Sequence, residues 1–299
     1  MSEKYKSLKR VLLWVLVALY TGSLPYVIFV YRAIEEHFSR AVAGKIPIVI
    51  ISLFGIGYIV YIILTKKVTK RTALIVLCPI IAYVIISLEP NPNKHIHIPE
   101  YVLMSWILFE ALSVDYNGKG IFILLFICST MLGIVDEMEQ GIHPGRYYGW
   151  RDMVINAAST IIGILTIMGL KKRLAGDWAW TGRLRKLKGP LGILFHGAIG
   201  ALLLCIHLFN VKENEAFWGV YPIWLLAWNG LFLSLGMIAV CYQYRRFHKE
   251  NYAQKNMVGS GTKTKEVVTA NLWVFVPLAI LLVMHVIVIF IAISGWEFL

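Results

Sequence analysis

The sequence predicts an all-α fold, a polytopic transmembrane helix bundle of about nine spans. Two observations carry this: 58% of the 299 residues are hydrophobic, with a mean hydropathy of +0.68, and the apolar residues fall in runs close to the roughly 20 that a bilayer-crossing helix needs. A third is charge: only 15% of residues are charged, against about a quarter in soluble domains.

The predicted spans are 11–31, 46–65, 72–88, 98–114, 120–135, 153–170, 191–210, 220–242 and 271–294. The basic start MSEKYKSLKR resembles that of a signal peptide, but the run after it exceeds a signal core of about 7–15 residues and no small-residue cleavage pattern follows, so it reads as a retained first helix. The third to fifth runs are short, and Pro47, Pro79 and Pro99 are expected to start or kink their helices.

The formal net charge of +12 would suggest nucleic acid in a soluble protein. Here the basic residues lie between apolar runs and no nucleic-acid-binding motif is present, so cytoplasmic loops and anionic lipid headgroups account for them. Lys4, Lys6, Lys9 and Arg10, then Lys66, Lys67, Lys70 and Arg71, then Lys171 to Lys188, then Arg245, Arg246 and Lys249 fall on one side of a nine-span chain. The positive-inside rule makes that side the cytoplasm, with the N-terminus inside and the C-terminus outside. Three regions are expected: a six-helix unit over 1–170, a basic linker over 171–190 with Trp178 and Trp180 on the headgroups, and a three-helix unit over 191–299. The stretch 249–268 reads as a mobile polar loop. Cys78, Cys128, Cys205 and Cys241 lie in or beside apolar runs without metal-ligand spacing and read as buried thiols, with no structural metal.

The polar residues crowd into two stretches that this topology places outside. In LEPNPNKHIHIPEYVL, His97, Glu100 and Tyr101 share one helix face. In DEMEQGIHPGRYYGWRDMVIN, Asp136, Glu137 and Gln140 crown one helix, Pro144 and Gly145 turn the chain at Arg146, and Asp152 and Asn156 open the next. Two arrangements account for them. One is a structural network in which Arg146 bridges Asp136 or Asp152. The other is an outward polar pocket that binds an anionic headgroup through Arg146, or lets a carboxyl act as a base beside His97. Charge at the hydrocarbon boundary favours considering function first.

Lys94-x-x-His97-x-x-Glu100-Tyr101, Asp136-Glu137-x-x-Gln140, Pro144-Gly145-Arg146, Asp152, Asn156 and Gly163, in this order, resemble the VanZ-like membrane protein family over roughly residues 72–170. Ser159 departs from a glycine common there. The resemblance implies a prokaryotic plasma-membrane protein of the cell envelope, linked to resistance to the glycopeptide teicoplanin, and carries over His97, Glu100, Tyr101, Asp136, Glu137, Gln140, Arg146, Asp152 and Asn156 as motif residues. It implies no settled reaction.

The pattern does not reach 171–299. There, His207 and His285 are expected at similar depth, where they could clamp a haem b, although intramembrane histidines more often bond between helices. Trp218, Trp224 and Trp228, with Tyr221, read as an interfacial aromatic belt, and Asn229 as interhelical glue.

Three function classes stay open. The first is an envelope protein that binds membrane lipids or a lipid-linked cell-wall intermediate. The second is an outer-leaflet hydrolase or transferase using Asp136 or Glu137 with His97, although no nucleophile motif or HExxH is present. The third is a non-catalytic subunit of a membrane complex, redox if the histidines hold haem.

Overall fold

The computed structural model describes residues 3–65, 72–142, 149–170, 179–213, 222–255 and 261–294. These residues are helical almost throughout, and no strand occurs among them. Lipid offers the backbone no hydrogen-bond partners, so a spanning segment must satisfy its own groups, as a helix does. Seven helices are long and apolar enough to cross a membrane: Lys4–His37, Arg40–Leu64, Ile121–Gln140, Arg151–Leu170, Trp180–His207, Ile223–Gln243 and Val268–Phe290. This is an integral membrane protein. The chain divides into two units, 1–140 with 149–176, and 141–148 with 177–299.

The first unit begins with α1 (Glu3–Ser23), which continues through a 3-10 turn at Leu24–Tyr26 into α2 (Val27–His37). Ser39 caps α3 (Arg40–Leu64), its hydroxyl accepting from the Val42 N–H at 3.2 Å. A 3-10 stretch, Thr72–Val76, leads into α4 (Leu77–Leu88), and another, Pro92–Ile96, into α5 (His97–Ser113). Helices α6 (Ile121–Ile142) and α7 (Trp150–Leu170) complete the unit. Pro79 and Pro99 each sit third in their helix, where the missing N–H costs nothing, while Pro47 lies inside α3.

Where they are described, all nine apolar runs are mainly helical, but the third and fourth are not among these seven. Helix α4 loses a turn to the preceding 3-10 stretch, and α5 has 17 residues. Helix α5 is the core of its unit, with Tyr101, Met104, Leu108 and Leu112 fully buried. Lipid-facing side chains sit on the other helices, such as Leu12 and Leu19 on α1 and Leu53 and Phe54 on α3.

Small residues set the spacing, as expected where lipid tails remove the hydrophobic drive between helices. A Cβ on Gly163 of α7 would lie 2.5 Å from Ser105 Cβ of α5, and one on Gly133 of α6 would lie 3.2 Å from Tyr101 and 3.3 Å from Asn156 Cβ. Helices α5 and α7 run parallel, since Ser105 meets Gly163 and the Trp106 indole N–H donates to the Thr166 hydroxyl at 3.0 Å. Helix α6 runs against both, its Ser129 hydroxyl 2.8 Å from that of Thr160. At one end of the unit, Arg10 pairs with Asp115 through two 2.7 Å bonds, and Lys6 joins at 3.5 Å. The acid in this turn is thereby neutralised by α1. The polar residues of α5, α6 and α7 gather at the opposite end.

The second unit contains a 3-10 helix, Ala179–Leu187, followed by α8 (Lys188–Glu213), α9 (Ile223–Lys255) and α10 (Gly261–Ser294). Three expectations are corrected here. Trp180 is buried against Trp273 of α10, ring centroids 4.9 Å apart, so this part of the basic linker packs on protein and not on headgroups; Trp178 lies outside the described residues. The polar stretch 249–268 is largely helix, because α9 runs on to Lys255 and α10 starts at Gly261. Of the four thiols, Cys78 and Cys128 are buried, but Cys241 is exposed.

Candidate functional site

Two polar segments separate in sequence meet at the end of α5, α6 and α7. The turn Pro92–Ile96, capped by Asn91, whose side chain accepts from the Asn93 N–H at 3.2 Å, delivers Lys94 and His97. The last turns of α6 deliver Asp136, Glu137 and Gln140, and the first turns of α7 deliver Asp152 and Asn156. His97, Glu100, Tyr101, Asp136, Glu137, Gln140, Asp152 and Asn156 are all buried. Arg146, with Pro144 and Gly145, lies outside the described residues.

Each oxygen of Asp136 has a donor. Tyr101 donates its phenolic hydrogen to Oδ2 at 2.9 Å, and the Gln140 amide donates to Oδ1 at 2.9 Å. Gln140 reaches it because residues four apart on a helix share a face. Asp152 takes the ammonium of Lys94, at 2.9 Å from Oδ1 and 3.0 Å from Oδ2, and lies in the first turn of α7, where an acid complements the helix dipole. The partners foreseen for Arg146 are therefore engaged by other groups. Lys94 is the cation that pairs with Asp152, where the sequence pointed to Arg146. It heads the quoted motif, but its partner is 58 residues away, and local periodicity carries no signal for such a pair.

Glu100 and Glu137 are less satisfied. His97 Nδ1 stands 3.1 Å from Glu100 Oε2, an ion pair by distance whose angle falls short of a hydrogen bond, and Glu100 Oε1 has no partner among the described residues. Asn156 Nδ2 approaches Glu137 Oε1 only at 3.5 Å, leaving Glu137 Oε2 and Asn156 Oδ1 without partners there. Among the described residues, four carboxyl groups thus stand with Lys94 and His97. A buried unpaired polar group costs about 1–3 kcal/mol, so the open acceptors mark where a donor would be held. The Tyr20 hydroxyl donates to the Glu100 carbonyl at 2.9 Å and ties α1 to the floor of the cluster.

Below the cluster, polar contacts run down α7. Thr160 donates to the Asn156 carbonyl at 2.9 Å, Thr166 to the Gly163 carbonyl at 2.7 Å, and Tyr58 of α3 to the Thr166 carbonyl at 2.6 Å. Ser159 is fully buried, its hydroxyl without a partner among the described residues.

In the second unit His207 and His285 do not stand at the similar depth expected of them. His285 packs against Gly200 of α8, whereas His207 lies seven residues further along that helix, roughly 10 Å at 1.5 Å per residue. The ring stacked in this region is His196, 4.1 Å from Trp228, whose indole N–H donates to the His196 carbonyl at 3.3 Å. Trp228 is therefore an interhelical contact, while Trp224 stays exposed as a belt residue would. Trp218 and Tyr221 lie outside the described residues.

Comparison with protein families, with curated proteins and with solved structures finds no match to this chain.

Proposed function

We propose that the chain is a VanZ-like protein of the prokaryotic cytoplasmic membrane, its N-terminus inside and the α5–α7 cluster facing outward, and that this cluster binds the headgroup of an anionic lipid or lipid-linked envelope intermediate. The motif residues from Lys94 to Gly163 support the family reading. The placement of Arg10 with Asp115 at one end and the carboxyl cluster at the other supports the alternating topology. On this reading, glycopeptide resistance would follow from a change in what the antibiotic meets at the surface.

The observation that carries the binding reading is the set of acceptors without a partner among the described residues, Glu100 Oε1, Glu137 Oε2 and Asn156 Oδ1. They call for a ligand that presents hydroxyl or ammonium hydrogens inward. The anionic part of the same headgroup would lie toward Lys94, and the family resemblance adds Arg146 as a candidate partner. Extraction in a lipid-preserving medium followed by native mass spectrometry tests this. A headgroup-bearing lipid retained by the wild type and lost in both Glu137→Gln and Arg146→Ala supports the site; equal retention in all three removes it.

One observation favours hydrolase or transferase chemistry as a second reading. Glu137 keeps an oxygen open beside the His97 and Glu100 pair, while Asp136 has none, so Glu137 would be the base. Turnover of a bound lipid by the wild type but not by Glu137→Gln would establish it, and an unchanged lipid in both would exclude it.

A further inference from the structure

The loop that carries Lys94 buries two polar side chains that lie outside the motif. Pro90 and Pro92 push the residues before them toward extended backbone, and Glu89 and Asn91 are both extended. Glu89 and His95 are buried, although Pro90, Asn91 and Pro92 between them are exposed. Burying such groups is costly unless they are hydrogen-bonded, and here each bonds to the loop's own backbone. Glu89 Oε1 accepts the Asn91 N–H at 3.0 Å. His95 Nε2 lies 2.9 Å from the Glu89 carbonyl, and because a carbonyl only accepts, this nitrogen carries the hydrogen.

Together these bonds close the loop at the root of Lys94. The Lys94 N–H donates to the Asn91 carbonyl at 3.0 Å, and the Asn91 side chain accepts from the Asn93 N–H at 3.2 Å. The backbone of Lys94 is thus tied through its own N–H and through the side chain of the next residue. Pro92 seats the loop on α3, where a Cβ on Gly44 would lie 3.2 Å from Pro92 Cβ. From this base the Lys94 ammonium reaches Asp152, 2.9 Å from Oδ1 and 3.0 Å from Oδ2. A lysine side chain carries much rotamer freedom, and with its root fixed only the stem is left for Asp152 to order.

We propose that Glu89 and His95 are positioning residues of the α5–α7 site: by closing this loop they hold the Lys94 ammonium beside Asp152 before a headgroup arrives. The inference rests on the headgroup reading of that site. A cation already in place costs less to engage than one that must be ordered on binding. Both residues therefore act on affinity through Lys94 and not by contact with the ligand.

Solid-state NMR of the full-length protein in phosphatidylcholine bilayers, which carry no net negative charge, tests this through the dipolar coupling between Lys94 Nζ and Asp152 Cγ. A strong coupling is expected in the wild type, with at least a several-fold loss in Glu89→Ala and His95→Leu. Glu89→Gln keeps an acceptor for the Asn91 N–H and His95→Gln keeps an N–H for the Glu89 carbonyl, so both are expected to retain the coupling. Coupling that stays strong in folded Glu89→Ala and His95→Leu overturns the proposal. Should those two fail to fold, the wild type and the glutamine variants decide, and a weak coupling in any of them overturns it. Retention of phosphatidylglycerol from mixed vesicles, read by native mass spectrometry, is expected to fall in step with the coupling. A wild type that shows the strong coupling but retains no phosphatidylglycerol would remove the headgroup reading itself.

Discussion

The Tyr101 hydroxyl and Asp136 Oδ2 meet at 2.9 Å with both side chains buried. This bond joins α5 to α6 and supplies half of the donors that Asp136 receives. Tyr101→Phe deletes the donor without changing the ring and leaves Oδ2 bare. The expected loss is about 1–3 kcal/mol of stability, read as a lowered melting temperature in detergent. Unchanged melting would mean that another donor reaches Asp136.

Lys94 and Asp152 form the one ion pair that links the His97 turn to α7 among the described residues. Removing a single member leaves a charge without its partner, which costs more than removing both. Lys94→Met should therefore destabilise more than the double variant Lys94→Met with Asp152→Asn. Thermal unfolding of the three proteins checks the order; a double variant worse than Lys94→Met contradicts the pairing.

Gly163 is where α7 touches α5 through Ser105. Gly163→Ala forces the helices apart, and such overpacking costs about 1–3 kcal/mol. Ser105→Gly should recover much of that loss in the double variant. Failure of the rescue, by melting temperature, would place the constraint on Gly163 elsewhere.

The proposed orientation puts the two ends of the first unit on opposite sides of the membrane. In a cysteine-free background, Asn93→Cys should react with an impermeant maleimide in intact cells, and Ser7→Cys only after permeabilisation. The same labelling pattern for both positions would contradict the proposed orientation.

Much of the architecture was legible because membrane helices are written in long apolar runs, and where they are described all nine runs are mainly helical. Length was legible too, since the run read as 98–114 is α5, His97–Ser113, of the same 17 residues; what the run did not show is that this helix is the buried core of its unit. In the site, Asp136 with Gln140 was readable from four-residue spacing. The bonds from Tyr101 to Asp136 and from Lys94 to Asp152 were not, because they depend on how α5, α6 and α7 are arranged. The similar depth expected of His207 and His285 was not met for a related reason: depth counted along separate helices does not say which residues face each other, and His285 packs at the level of Gly200 on α8.

Photo-crosslinking in intact cells tests the central claim most directly, with a diazirine-bearing residue in place of Asn93, beside Lys94. The account predicts an adduct with a headgroup-bearing lipid, identified by mass spectrometry and lost when Glu137→Gln is added. An adduct that persists in Glu137→Gln, or crosslinks only to protein, would contradict headgroup binding at the α5–α7 cluster.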